Sequence, residues 1–380
     1  MDRLPQELVL EILSRLPLPS LGQSKSVCRA WRILIQDRVF VDKHFKRMAD
    51  NDSTFILQIA NQPNQNSLYF GDFSNNPDDG KAMMITKRLS MPPILNFHLV
   101  SSCDGLLCLR ATYPSFQLCI YNPFTWDHIE LPKLSHRAGN LGFGFDATTK
   151  KYKVVEISLK RTTRRGFRRG RQITAASSSS SESVVHVLTV GSPTWRNLGS
   201  LPFHFMWQNS QVLVNGKLHW IATEHMIMSF DLATEEFKEV PMPDCIGFNG
   251  KFHELVVLRG CLSAVSFDDD AEEWEIWVMR ECWVKEFSIG VDVTKILWPN
   301  DGRVSWNNPR YFLPRKCIRV LCLLRSGEII LKYRNKVVVA YDPHGRTIHD
   351  LRLTFEGIPR CFKAVVHVAS LIKIDNFVNT

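Results

Sequence analysis

The sequence predicts a mostly β protein with a small N-terminal α-helical unit, the β part being an irregular β-propeller of about six or seven blades. Three observations carry that expectation. Apolar residues repeat with helical spacing through the first forty positions and alternate from Thr54 onward. Turn signals then recur, and the distance from each hairpin glycine to the following strand-turn-strand stays at 20 to 23 residues. Finally, 380 residues that are 44% hydrophobic and 22% charged, with 23 Phe and 10 Trp, suffice to bury a sizeable core.

The elements follow in order. In "LPQELVLEILSRLP" (4–17) Pro5 supplies a helix start, because proline at the first helical position forfeits no hydrogen bond. Val9, Ile12, Leu13 and Leu16 fall at i, i+3, i+4 and i+7, Leu8 widens that face, and Pro17 ends the helix. A second helix is predicted in "SVCRAWRILIQD" (26–37), with Ser26 as N-cap and Val27, Trp31 and Leu34 repeating beside Ile35. Between them "LPSLGQSK" has room for a turn or two of helix. A unit this small rarely closes a core alone. Its surplus apolar surface must be covered by the following domain or by another polypeptide.

Beyond Thr54 the clearest hairpin is "VLVNGKLHWIA" (212–222), an Asn-Gly pair between alternating apolar residues. Comparable turns are predicted at Asp104-Gly105, Arg259-Gly260 and Ser326-Gly327. After each comes a second strand-turn-strand, reached 21, 23 and 20 residues past the glycine at Trp126, Trp283 and Thr347, and 21 residues past Gly216 at Phe237. Two hairpins make four antiparallel strands, which is one propeller blade. A further blade is expected between Gly142 and Pro202, lengthened by an insert, with "TFILQIA" and "SLYFGDF" before the first clear repeat and "CFKAVVHVASLIKI" after the last. The alternative is a β-sandwich, which also suits short strands with frequent turns.

The order of residues 4 to 37 is informative beyond its periodicity. A Leu-Pro start, the Glu-Ile-Leu-x-Arg-Leu-Pro segment and Val-Cys-Arg-x-Trp-Arg ending in Ile-x-Asp together resemble the F-box motif along its whole length. The phrases "CDGLLCL", "YNPFTW", "GFGFDATTKKYKVV" and "VNGKLHWIA" resemble the F-box-associated, kelch-related domain of the large plant F-box families, although the double glycine of kelch repeats is absent. The resemblance implies two domains, 1–45 binding a Skp-type adaptor and 50–380 forming a propeller that binds a substrate. Carried over position by position, it implies contact or support roles for Leu4, Pro5, Leu8, Ile12, Leu13, Leu16, Pro17, Leu21, Val27, Cys28, Trp31 and Leu34. Cys28 and Trp31 fit the inside of the motif as well as its surface. Where relatives commonly carry Leu or Phe in the middle helix, this chain has "LGQSK", and Gly22 costs that helix about 1 kcal/mol relative to alanine.

The function so implied is that of a substrate-recognition subunit of a Skp–cullin–F-box ubiquitin ligase. It needs no cofactor and no metal, is not itself an enzyme, and joins an adaptor, through it a cullin, and an unknown protein target. The residues agree with that silence. There is no phosphate-cradling GxxxxGK[ST], no G-x-S-x-G and no HExxH, and "GFGFD" precedes no helix. The ten cysteines include no CxxC pair, and reduced core thiols fit the cytoplasm or nucleus. The acidic run "FDDDAEEWE" (267–275) lacks cation-loop spacing. Glu7, Glu11 and Arg15 break any secretory apolar stretch, and no run is long enough to span a membrane.

Two surface features leave readings open. Of the net charge of +9, seven units sit in "KRTTRRGFRRGR" (160–171), an insert in which Arg164, Arg165, Arg168 and Arg169 can grip phosphates or an acidic partner, or simply remain solvated. A nucleic-acid-binding propeller using that insert is the alternative function. The aromatic stretches holding Phe205 and Trp207, and Trp306, Arg310 and Tyr311, are candidate substrate contacts or blade packing.

Overall fold

The computed structural model describes residues 5–50, 54–62, 65–75, 82–94, 96–112, 114–133, 139–162, 180–205, 211–223, 226–243, 252–290, 318–333, 337–351 and 362–375. Four helices come first: α1 Gln6–Ser14, α2 Leu18–Ser24, α3 Arg29–Gln36 and α4 Arg38–Ala49. Pro5 is the N-cap of α1, one position earlier than the sequence suggests, and Pro17, read in sequence as the end of the first helix, is the extended N-cap of α2, α1 itself ending at Ser14. The N-cap of α3 is Cys28 rather than Ser26: its Sγ accepts from Trp31 N at 3.4 Å. The fourth helix was not read from the sequence. Asp37 starts it by accepting from the backbone N–H groups of Val39 (2.9 Å) and Phe40 (3.3 Å), and Lys46 and Arg47 complement the dipole of its last turn. No helix among the described residues is long and apolar enough to cross a membrane.

The strands form six four-stranded antiparallel sheets, which settles the blade number at six and excludes the sandwich. Blade 1 joins the two ends of the chain: β24 Phe362–Val366 pairs with β1 Phe55–Gln62, followed outward by β2 Gln65–Asn75 and β3 Ala82–Arg88. Blade 2 is β4 Phe97–Cys103, β5 Leu106–Ala111, β6 Leu118–Tyr121 and β7 His128–Glu130. Blade 3 is β8 Gly139–Asp146, β9 Lys151–Thr162, β10 Ser180–Thr189 and β11 Arg196–Leu201, with the basic insert leaving between β9 and β10. Blade 4 is β12 Val212–Val214, β13 Lys217–Ile221, β14 Ile227–Asp231 and β15 Phe237–Val240. Blade 5 is β16 Glu254–Leu258, β17 Cys261–Asp268, β18 Glu273–Met279 and β19 Trp283–Gly290. Blade 6 is β20 Ile318–Leu323, β21 Ile329–Tyr333, β22 Val337–Asp342 and β23 Thr347–Asp350.

Turn chemistry explains the hairpins. Both residues of Asp104-Gly105, Asn215-Gly216 and Arg259-Gly260 have positive φ, the signature of the two-residue turn whose twist matches its strands. At Ser326-Gly327 the glycine alone is left-handed, and the loop is longer, closed by Leu324 N to Glu328 O at 2.9 Å. Packing is between blades: each of six apolar clusters spans two neighbouring blades, such as Trp220 and Phe230 of blade 4 against Val155 and Val187 of blade 3. The glycines of "GFGFD" serve this packing. A Cβ on Gly142 would lie 2.6 Å from Trp220 Cζ2, and one on Gly144 2.7 Å from Leu232 Cδ1.

The inner strands β24, β4, β8, β12, β16 and β20 neighbour one another in turn and surround the axis. Each runs toward the helical unit, because strand β24 leads into residues 367–372, which pack under the helices. The long connections that leave β9, β11 and β19 therefore start on the opposite face of the ring.

Candidate functional site

The helical unit divides its apolar side chains between two fates. Leu13, Leu21, Ile35 and Phe40 are 0% exposed and form its core with Leu18 and Val41. That core is completed from the propeller by Ala369 and Leu371, with Phe70 and Phe124 against it, so part of the surplus face is covered within the chain. Another part is not. Leu8 (51% exposed), Ile12 (50%), Val27 (64%), Ile33 (60%) and Val39 (76%) face outward. They are five of the ten large hydrophobic side chains that are exposed among the described residues, although helices α1 to α4 make up only a small part of the chain. On α1 the reason is angular: Leu8 and Ile12, four apart, share a face, and Val9, Leu13 and Leu16 turn inward beside it.

Of the residues singled out in sequence, Leu4 lies outside the described residues. Pro5, Leu8, Ile12, Pro17, Val27 and Cys28 are exposed, Leu16, Trp31 and Leu34 are half-buried against the core, and Leu13 and Leu21 are supports from within. Ile33 and Val39 were missed. The run Ile33-Leu34-Ile35 carried the signal for the first, since three consecutive residues of a helix cannot share one buried face. Gly22 sits within α2 in open space, with nothing near a Cβ added there.

Charge fixes α1 against α4. Glu11 accepts from Arg15 Nη2 (2.8 Å) and pairs with Lys43 Nζ (2.7 Å) and Arg47 Nη2 (2.5 Å). Lys43, Arg47 and Arg15 together hold its carboxyl down at about 2. Beneath, His44 Nε2 lies 2.9 Å from the carbonyl oxygen of Leu16, and burial lowers its pKa. At the junction with the propeller His367 is buried, its Nδ1 2.8 Å from Ser102 Oγ and its ring stacked on Phe124 at 5.9 Å. Burial holds it at about 3.

The sign of these shifts gives a pH window. The two histidines ordinarily titrate near 6.5, and burial disfavours the protonated form of both in the folded chain. Stability is therefore complete above that value and falls as acidification protonates the unfolded chain first, by about 1.4 kcal/mol per pH unit for a histidine that stays fully neutral when folded. Glu11 adds its own loss only below 4.5. The unfolding temperature is expected to fall between pH 6.5 and 4.5, and less steeply in His367→Asn; equal slopes for the two proteins would refute the assignment to His367.

The other predicted sites resolve differently. Phe205 is corrected: it is buried among Phe203 (5.4 Å), Trp220 (5.9 Å) and Phe237 (6.0 Å), packing blade 3 on blade 4 and touching no surface. Trp207, Trp306, Arg310, Tyr311 and the insert residues Arg164, Arg165, Arg168 and Arg169 lie outside the described residues. In the acidic run Asp268 caps its own turn, accepting from Asp270 N (2.9 Å) and Ala271 N (3.1 Å), and the described residues contain no metal-holding group of three or more His, Cys, Asp or Glu. His219 is a buried strand residue whose pKa burial lowers to about 4.

A six-bladed propeller carrying a helical unit with a partly bare apolar face defines an interaction protein. Family comparison agrees. A model described as "F-box associated beta propeller domain" matches residues 50–362, and one described as "F-box-like" matches residues 1–52. The chain is similar to the F-box protein At3g07870 of Arabidopsis thaliana, 37% identical over 99% of this chain and 93% of that one. It is also similar to the F-box/kelch-repeat protein At3g23880 of the same plant, 27% identical over 79% of this chain and 84% of that one. The protein belongs to the F-box family with an F-box-associated β-propeller.

Proposed function

We propose that this chain is the substrate receptor of a Skp–cullin–F-box ubiquitin ligase. Its helices bind a Skp-type adaptor through Leu8 and Ile12 together with the exposed Val27, Cys28, Ile33 and Val39, and the propeller holds a protein target. The observation that carries the reading is the concentration of bare apolar side chains on the short helical unit, which holds five of the ten such residues among the described ones, the other five being Met91, Trp126, Leu198, Val284 and Val366. Leu13 and Leu21 support that face from inside. The role is non-catalytic: holding a target lysine near a charged conjugating enzyme raises its effective concentration, and nothing in the receptor need react. The target is expected on the face of the ring opposite the helices, where the longest connections begin.

The test is capture by an immobilised Skp-type adaptor. Wild type is expected to bind, and Leu8→Asp with Ile12→Asp to lose binding by about a hundredfold, as loss of two anchoring contacts implies. Both positions are exposed, so the unfolding temperature should stay unchanged, whereas Leu13→Asp would lower it by breaking the core. Val284→Asp, an exposed apolar position in blade 5, should leave binding intact. Failure of the wild type to bind, or full binding by the double variant, would reject the reading.

A further inference from the structure

The propeller axis holds a partly open cavity of about 590 Å³, within the range of small-ligand sites. Phe45 and Ala49 of α4 line its end on the helical side. At the far end the wall is cationic. Arg319 and Lys363 are the second residues of inner strands β20 and β24. Lys332 of β21 pairs directly across from Arg319 and is buried, its ammonium 5.6 Å from the centre of the Phe362 ring. Lys363 Nζ donates to the carbonyl oxygens of Leu99 (2.6 Å) and Val100 (3.4 Å). Among the described residues lining this end, the carboxylate is Glu254, with Oε1 3.9 Å from Arg319 Nε.

Like charges placed opposite one another on a ladder are destabilising, and a third cation beside them adds to that cost. Burial first, and then Arg319, lowers the pKa of Lys363 to about 8. Burial raises that of Glu254 to about 7, so near neutrality the carboxylate offsets only part of the positive charge. The field extends to His98, lowered by burial and then by Lys363 and Arg110. Nearer the helices Arg259, Arg325 and Asp104 also line the cavity. Among the described residues the wall holds five cationic and two acidic side chains, a net positive charge that would attract an anion.

We propose that the channel binds a compact multivalent oxyanion, bearing phosphate or carboxylate groups, whose charge is met by Arg319, Lys332 and Lys363. Guanidinium and ammonium groups converging from two adjacent inner strands and a second-row strand suit an anion with several oxygens rather than a single carboxylate. The source is either a free small molecule or a group carried on a target side chain that enters from the face opposite the helices. The site is independent of adaptor binding, since its cations lie at the end remote from α4.

The experiment is calorimetric titration of the full chain, at low salt, with inorganic pyrophosphate and separately with a short peptide carrying one phosphoserine. Saturable one-to-one binding of either probe is expected. Lys363→Met and Arg319→Gln should each weaken it about tenfold, the loss of one charge-assisted contact. Glu254→Gln should tighten it, a gain that damage to the fold cannot mimic. Binding of pyrophosphate alone identifies a free anion, and binding of the peptide identifies a group borne by a target. If wild type binds neither probe, or if Lys363→Met and Arg319→Gln bind as tightly as wild type, the proposal fails.

Discussion

Deleting residues 362–380 is expected to abolish the cooperative unfolding transition of the entire chain. Strand β24 is the inner strand of blade 1, laddered to β1 from Phe55 opposite Val366 to Ile59 opposite Phe362. Without it the ring has no closing strand, β1 presents an unpaired edge, and the cluster shared by blades 6 and 1 loses Phe362. The segment beyond β24 binds the helical unit to the ring. His367 N donates to Thr54 O (2.8 Å), Ser370 Oγ to Asp104 O (3.0 Å), and Asn122 Nδ2 to the carbonyl oxygens of Ser370 (3.2 Å) and Ile372 (2.8 Å). The fit is close enough that a Cβ on Gly105, already at φ +81, would meet Ser370 Oγ. Ala369 and Leu371 finish the helical core. One deletion thus removes the closure of the propeller and the floor of the helices, against a total stability of about 5–15 kcal/mol for a folded domain. Near-ultraviolet circular dichroism and thermal melts measure this directly. A truncated chain that melted cooperatively near the wild-type temperature would show that closure is not what holds the ring.

Lys153→Met is expected to destabilise the protein by about 3–5 kcal/mol, the cost of leaving buried charge uncompensated. Lys153 lies in β9 of blade 3, and its Nζ reaches Asp146 Oδ2 (3.0 Å), Glu235 Oε1 of blade 4 (2.8 Å) and the carbonyl oxygen of Leu232 (2.6 Å). Its side chain and that of Asp146 are almost wholly enclosed, and Glu235 is further held by Arg196 Nη2 at 2.6 Å. Asp146 is fixed in place by the backbone N–H of Thr148 (2.9 Å) and the Thr149 hydroxyl (2.7 Å), so it cannot swing away when its cation is removed. Methionine keeps most of the aliphatic stem, which isolates the charge from the packing. Adding Asp146→Asn to Lys153→Met should recover part of the loss, a non-additivity that identifies the cause as unpaired carboxylate. Urea midpoints for the two variants decide the matter; a single-variant loss below about 1 kcal/mol would mean the pair contributes little beyond its own desolvation.

Much of this architecture was legible before any coordinates. Asn215-Gly216 and Asp104-Gly105 announced tight hairpins because these residue types tolerate the left-handed backbone that such turns require. The spacing between hairpins was legible in blades 2, 4, 5 and 6, whereas in blade 3 the longer strands β9 Lys151–Thr162 and β10 Ser180–Thr189 and the insert between them break it. Helix α4 was hidden: in "RVFVDKHFKRMA" its buried residues are Phe40, Val41 and His44, so one of its inward positions is a histidine and the apolar stripe is short. Phe205 stood between two readings for the opposite reason, and packing is the one observed: an aromatic in a connection looks the same in sequence whether it faces solvent or fills the gap between blades. The cations of the channel were invisible for a third. Arg319, Lys332 and Lys363 sit in separate strands, with nothing local to relate them.

The sequence by itself determined the helical start, the hairpins, the four-stranded repeat and the family, because each depends on backbone preferences and periodicities within a few tens of residues. The tertiary structure alone decided the number of blades, which apolar residues of α1 are covered and which are bare, and where charge accumulates along the axis. Those depend on segments meeting across some three hundred residues of chain, as β1 and β24 do, and no local pattern encodes the geometry of such a closure.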